Sequence, residues 1–111
     1  MYSLIVKGNF SAAHHLPGHS GPCANIHGHT FQVEVKISGK ELNNMGMLVD
    51  FQDIKSAWKK YDHTDLNEIF RMPTAEHIAE TIFKELNTHD HKMKYVRVWE
   101  SDDCYAEYTG D

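Results

Sequence analysis

Two histidines separated by one glycine, His27-Gly28-His29, open a stretch of alternating residues and carry the clearest potential chemistry in the chain. In extended backbone, residues two apart project to the same side, so both imidazoles can reach one ion. Gly28 puts no side chain between them and is expected to let the backbone bend. A third imidazole is available from His14, which ends the alternating series Leu4, Val6, Phe10, Ala12. Pairing of that segment with the one following His27 would bring it to the same place. Three neutral imidazoles leave a fourth tetrahedral position open, as in catalytic zinc sites. An ion held that way polarises a bound hydroxyl or lowers the pKa of bound water towards about 7. Imidazole also suits other first-row metals, and zinc is expected on geometry and availability. Of the 9 histidines, His14, His15, His19, His27 and His29 fall within sixteen consecutive positions. His15 should face away from His14, and His19 lies in a loop exposed to solvent. His89 and His91 repeat the HxH spacing in a polar loop without a third partner, and read as surface.

Acid–base groups are the second constellation. Cys23 lies four residues before His27, among Gly21, Pro22, Ala24 and Asn25, which argue against a packed position. Three roles are open to it: a fourth ligand closing the site, a core filler, or a thiolate favoured by a nearby cation and acting as a base. Asp62-His63 is either a helix-end cap or a proton relay, in which the carboxylate fixes the tautomer of the imidazole. Glu100 ends the Val96, Val98 face of a strand. Either the strand meets solvent there, or the carboxylate accepts hydrogen bonds from an amidine-like edge such as that of a pterin. Cys104 is expected to be a small buried hydrophobe without a role.

These residues sit on a simple series of elements. Residues 2–14 read as a strand, with Gly8 as a candidate bulge, and 16–26 as a loop. From about His29 to Ser38, Phe31, Val33, Val35 and Ile37 alternate with polar residues as a half-buried strand does. Asp50 is placed as an N-cap before a helix whose stripe is Phe51, Ile54, Trp58 and Tyr61. Thr74 caps a second helix with Ile78, Ile82 and Leu86 on one face. Tyr95–Glu100 and Tyr105–Tyr108 read as two closing strands. The order predicts one α+β domain over residues 1–111, a four-stranded antiparallel sheet with two helices on one face.

Composition excludes several classes. The chain has 111 residues, 41% hydrophobic and 24% charged, as expected of a soluble globular domain. Its net charge is -5 and its 11 Lys and Arg are scattered, which argues against nucleic-acid binding. No apolar run approaches the roughly 20 residues of a membrane span, and no secretory signal is apparent, so a cytoplasmic protein is expected. In that compartment a disulfide between Cys23 and Cys104 is not expected.

The segments FSAAHHL (10–16), CANIHGH (23–29), GMLVDF (46–51), YDHTDLN (61–67), PTAEH (73–77) and VRVWES (96–101) span nearly the whole chain. In that combination and order the sequence resembles the family of 6-pyruvoyltetrahydropterin and 6-carboxytetrahydropterin synthases. The resemblance implies zinc held by His14, His27 and His29, and Cys23 as catalytic acid–base with Asp62 and His63 as relay partners. It implies Glu100 as the anchor of a pterin ring, and Thr74 as a further contributor to that pocket. It further implies the tunnelling fold, in which subunits associate into barrels with active sites between them, hence a homo-oligomer, expected to be a hexamer. Three residues separate Cys23 from His27, which looks like the carboxy enzymes of queuosine (7-deazaguanine) biosynthesis rather than the animal pyruvoyl enzymes. The implied reaction converts 7,8-dihydroneopterin triphosphate to 6-carboxytetrahydropterin with release of acetaldehyde and triphosphate. Pyruvoyl-type elimination of triphosphate, an aldolase-like cleavage of dihydroneopterin, and a pterin- or zinc-binding module without catalysis are the alternatives. Two departures stand out: Tyr61 where the family usually has Leu, and short connections around residues 40–46 and 66–73.

Overall fold

In the computed structural model, which describes residues 1–88 and 91–110, two long strands form a hairpin that carries the rest of the molecule. Strand β1 (Tyr2–His14) pairs antiparallel with β2 (His27–Gly39) in unbroken register, from Tyr2 opposite Gly39 to His14 opposite His27. Helix α1 (Phe51–Lys59) follows, then a two-residue strand β3 (Thr64–Asp65), helix α2 (Ala75–Leu86), and strands β4 (Lys92–Ser101) and β5 (Cys104–Tyr108). The sheet order is β3-β1-β2-β4-β5.

The expected sheet is present as β1, β2, β4 and β5, but the four-stranded prediction is one strand short. β3 adds a fifth, paired parallel to Ala12 and Ala13 of β1. Two residues are too few to leave an alternating pattern, so this strand has no signature in side-chain type. It exists because the chain leaving α1 meets a free edge of β1 whose backbone groups need partners.

Both helices cover one face. Val6, Phe10, Phe31, Val33, Val35, Val96 and Val98 point from the sheet into a core completed by Ile54, Trp58, Ile78 and Ile82. Each helix starts where a side chain caps it: Asp50 accepts from the Gln52 N–H at 2.9 Å and Thr74 from the His77 N–H at 3.2 Å. The buried stripe of α1 begins at Ile54, since Phe51 is half exposed. Tyr61, the departure from the family's Leu, is a core residue packed edge-on against Phe10 and tilted against Phe70. The opposite face carries most of the polar residues of the alternating strands, together with Ile5, Trp99 and Tyr105. There Glu34 accepts hydrogen bonds from Tyr95 (2.6 Å) and Arg97 (3.2 Å).

Gly8 is not a bulge. It pairs in register with Val33, and its lack of a side chain makes room for the Trp58 ring: a Cβ there would lie 2.6 Å from Trp58 Nε1. The irregularities fall instead in the pairing of β4, at Lys36/Ile37 and Trp99/Ser101. Gly8→Ala is therefore expected to destabilise the fold by about 1–3 kcal/mol through overpacking, read as a lower denaturation midpoint with unchanged slope. A neutral result would mean that Trp58 moves aside freely.

Among the described residues, no helix is long and apolar enough to cross a membrane. Of the second HxH pair, His89 lies outside the described residues. His91 is half-buried, with its Nε2 3.0 Å from the Leu86 carbonyl oxygen.

Candidate active site and metal centre

The hairpin register decides the geometry. His14 is the last residue of β1 and faces His27, the first of β2, while His29 faces Ala12. All three imidazoles therefore lie on the helix-covered face at the loop end of the hairpin. Their ring centroids are 4.5 Å (His14–His27), 5.0 Å (His14–His29) and 4.7 Å (His27–His29) apart. One ring nitrogen from each lies within 4.8 Å of the others. Gly28 is in regular pairing with Ala13, so the expected bend is absent; extended backbone alone brings the two rings together.

Two rings are oriented by main-chain carbonyls. His14 Nδ1 donates to the Pro73 carbonyl at 2.8 Å, and His27 Nδ1 donates to that of Asn25 at 2.7 Å. A carbonyl only accepts, so each neutral ring carries its proton on Nδ1 and keeps a lone pair on Nε2. His14 Nε2 is buried with no hydrogen-bond partner. The nearest acidic atom, Glu100 Oε1, is 4.0 Å away. A buried nitrogen left unpaired costs free energy, and a cation between the three rings would satisfy it. His29 has its pKa lowered, mainly by burial; Glu100 opposes this, and the neighbouring His14 and His27 add to it. All three effects of burial and neighbouring rings favour the neutral imidazole that a metal requires. The residues fit a three-imidazole metal centre.

Cys23 sits in a 3-10 turn, Pro22–Ala24, half-buried and free of any disulfide. Its carbonyl accepts from the Leu16 N–H at 2.6 Å, which ties the loop across its own base. Its sulfur does not join the three ring nitrogens as a fourth donor.

Asp62 and His63 lie elsewhere. The Asp62 carboxylate caps no helix; it accepts from the Ser11 N–H at 2.8 Å, and the His63 N–H donates to the Ser11 carbonyl at 2.6 Å. His63 takes a left-handed conformation with φ 61°, uncommon for a non-glycine residue and held here by that edge pairing. Its Nδ1 is 3.7 Å from Asp62 Oδ1, and its side chain is 75% exposed. The ring borders a depression at the β1–β3 edge that Ser11, Ala13, Thr30 and His29 also line. This pair therefore sits at the outer edge of β1, bonded to Ser11, and neither residue joins the group of three ring nitrogens.

Glu100 and Thr74 do meet. Both line a cleft of about 540 Å³ between the start of α2 and the β4–β5 turn, together with Leu16, Glu76, Cys104 and Tyr105. The Glu100 side chain, 34% exposed, stands between this cleft and His14. Cys104, expected to be buried, is exposed, with its sulfur 3.1 Å from Ser101 Oγ. The carbonyls of Pro73 and Asn25 and the amide of Asn67, which holds the backbone of His15, went unseen in the sequence. Main-chain acceptors leave no mark on residue type.

A sheet backed on one face by two helices, with three converging imidazoles at one end of its long hairpin, defines an α+β protein with a candidate histidine metal centre. The model of the 6-pyruvoyl tetrahydropterin synthase family matches residues 3–111. The chain belongs to that family, and its fold is the tunnelling fold. An Archaeoglobus fulgidus protein, provisionally named 6-carboxy-5,6,7,8-tetrahydropterin synthase, is 46% identical over 92% of this chain and 90% of its own. A Pyrococcus furiosus dihydroneopterin monophosphate aldolase is 32% identical over 94% of each chain. The solved 6-pyruvoyl tetrahydropterin synthase of Caenorhabditis elegans superposes with a TM-score of 0.78 at 25% identity, over 99% of this chain and 96% of that one.

Proposed function

We propose that this protein is a zinc-dependent cytoplasmic lyase that converts 7,8-dihydroneopterin triphosphate to 6-carboxy-5,6,7,8-tetrahydropterin, releasing acetaldehyde and triphosphate, on the route to queuosine and related 7-deazaguanines. The observation that carries this reading is the convergence of His14, His27 and His29 around a buried, unpartnered Nε2, in a chain with a 46% identical relative of that name. When bound, zinc would polarise the side-chain hydroxyls of the substrate and acidify the neighbouring C–H.

The chain's own residues do the rest. Glu100, at the border of the cleft, accepts hydrogen bonds from the amidine edge of the pterin. Thr74 shapes the wall opposite; its hydroxyl is already engaged in capping α2. Cys23 accepts and returns a proton beside the substrate side chain. Asp62 and His63, held at the edge of β1, relay that proton, and in keeping with the resemblance to a family whose active sites lie between subunits, a second subunit supplies them. A barrel-forming homo-oligomer, a hexamer, is the assembly that the family resemblance implies.

Incubation of zinc-loaded and chelator-stripped protein with dihydroneopterin triphosphate, followed by mass analysis, tests the proposal. The loaded protein is expected to give 6-carboxytetrahydropterin and acetaldehyde, and the stripped protein neither. A 6-pyruvoyl product, or pterin binding without turnover on any of these substrates, would overturn it. The Pyrococcus furiosus relative, similar over nearly the full length of both chains, favours a second reading: aldolase cleavage of dihydroneopterin monophosphate. The same incubation with the monophosphate separates the two.

A further inference from the structure

The edge of β1 beside the metal centre is closed by a side chain. Along that edge the backbone groups of alternate residues face outward from the β1–β2 pair. Those of Ser11 are taken by Asp62 and the His63 N–H, and β3 then pairs alongside Ala12 and Ala13. Beyond Asp65 the chain turns away into a 3-10 turn, Leu66–Glu68, anchored by the fully buried Leu66. No strand remains to meet the next residue on the edge, His15. Asn67 takes its place: its Oδ1 accepts from the His15 N–H at 2.9 Å and its Nδ2 donates to the His15 carbonyl at 3.0 Å. Asp65 in turn fixes Asn67 by accepting from its N–H at 3.0 Å. A primary amide presents one acceptor and one donor side by side, as a strand residue does. His14 immediately precedes this clamp, and its ring is held separately by the Pro73 carbonyl.

We propose that Asn67 is a positioning residue of the metal centre: by clamping both backbone groups of His15 it keeps the preceding residue, His14, in strand geometry with its ring aimed at His27 and His29. The inference rests on the three-imidazole centre proposed above. Its test compares zinc and cobalt(II) affinity, by chelator competition, and the cobalt absorption spectrum in wild type, Asn67→Ala and Asp50→Ala. Asp50 caps α1 beside Leu48, which packs on Gly39 at the opposite end of the hairpin, so its loss weakens the fold away from the centre. Asn67→Ala is expected to bind both metals at least about tenfold more weakly, in the range of outer-shell partners, with an altered cobalt spectrum. Asp50→Ala should keep wild-type affinity and spectrum. Unchanged affinity in Asn67→Ala, or an equal loss in Asp50→Ala, would overturn the inference. Should Asn67→Ala fail to fold, Asn67→Asp is read the same way, since it keeps the acceptor and sets a carboxylate against the His15 carbonyl. A wild-type chain that takes up neither metal would sink the centre itself.

Discussion

His14→Ala is expected to leave the protein unable to retain zinc through dialysis, and with that to abolish turnover. The three nitrogens are the only such donor group among the described residues, and His14 is the member sealed from solvent, at 1% exposure. Apparent zinc affinities of ~10–16 kcal/mol shared over four ligands imply that losing one weakens binding roughly a hundredfold or more. The substitution also strands the Pro73 carbonyl, which now accepts from His14, at a stability cost of about 1–3 kcal/mol. Metal content after dialysis, measured beside a denaturation curve, separates the two effects. A folded variant with full metal content would mean that the ion is bound elsewhere.

Cys23→Ala should do the reverse: full metal content, and turnover reduced by about 10²–10⁴-fold, the usual reach of a general acid–base. The sulfur stands apart from the ring nitrogens, so its removal takes no ligand away. Metal loss in this variant would instead make Cys23 a ligand supplied to the centre in another state of the protein. With the relay supplied by a second subunit as proposed, Cys23→Ala and His63→Ala chains co-assembled in one oligomer should regain part of the activity that neither has alone. No recovery in verified mixed oligomers would place the whole relay within one subunit.

Much of this arrangement was legible in residue spacing. Alternation put His14 on the face of Phe10 and Ala12, and the HGH pair opposite it. Asp50 and Thr74 announced the two helices as caps. What went unread falls into two physical kinds. One is the work of main-chain groups: the two-residue β3, and the carbonyls that orient His14 and His27, leave no pattern in side-chain type. The other is contact between distant segments. Gly8 invited a bulge because nothing nearby announced that the Trp58 ring would lie against it. Asp62 offered a cap or a relay, while its carboxylate bonds to the edge of β1 fifty-one positions earlier. The residues around Cys23, Asp62, His63 and Glu100 left several roles open, and it was resemblance to a family that chose among them and that alone pointed to a pocket role for Thr74.

The three imidazoles come from one short span, residues 14–29, but the carbonyl that turns His14 comes from Pro73. The ligands are thus portable and their aim is not. A designer who transplants the hairpin alone into another scaffold would carry over every donor atom yet leave the buried ring free to rotate. Metal affinity in such a graft would be limited by rotamer freedom rather than by ligand chemistry, so the recipient must offer its own carbonyl at the position Pro73 occupies here.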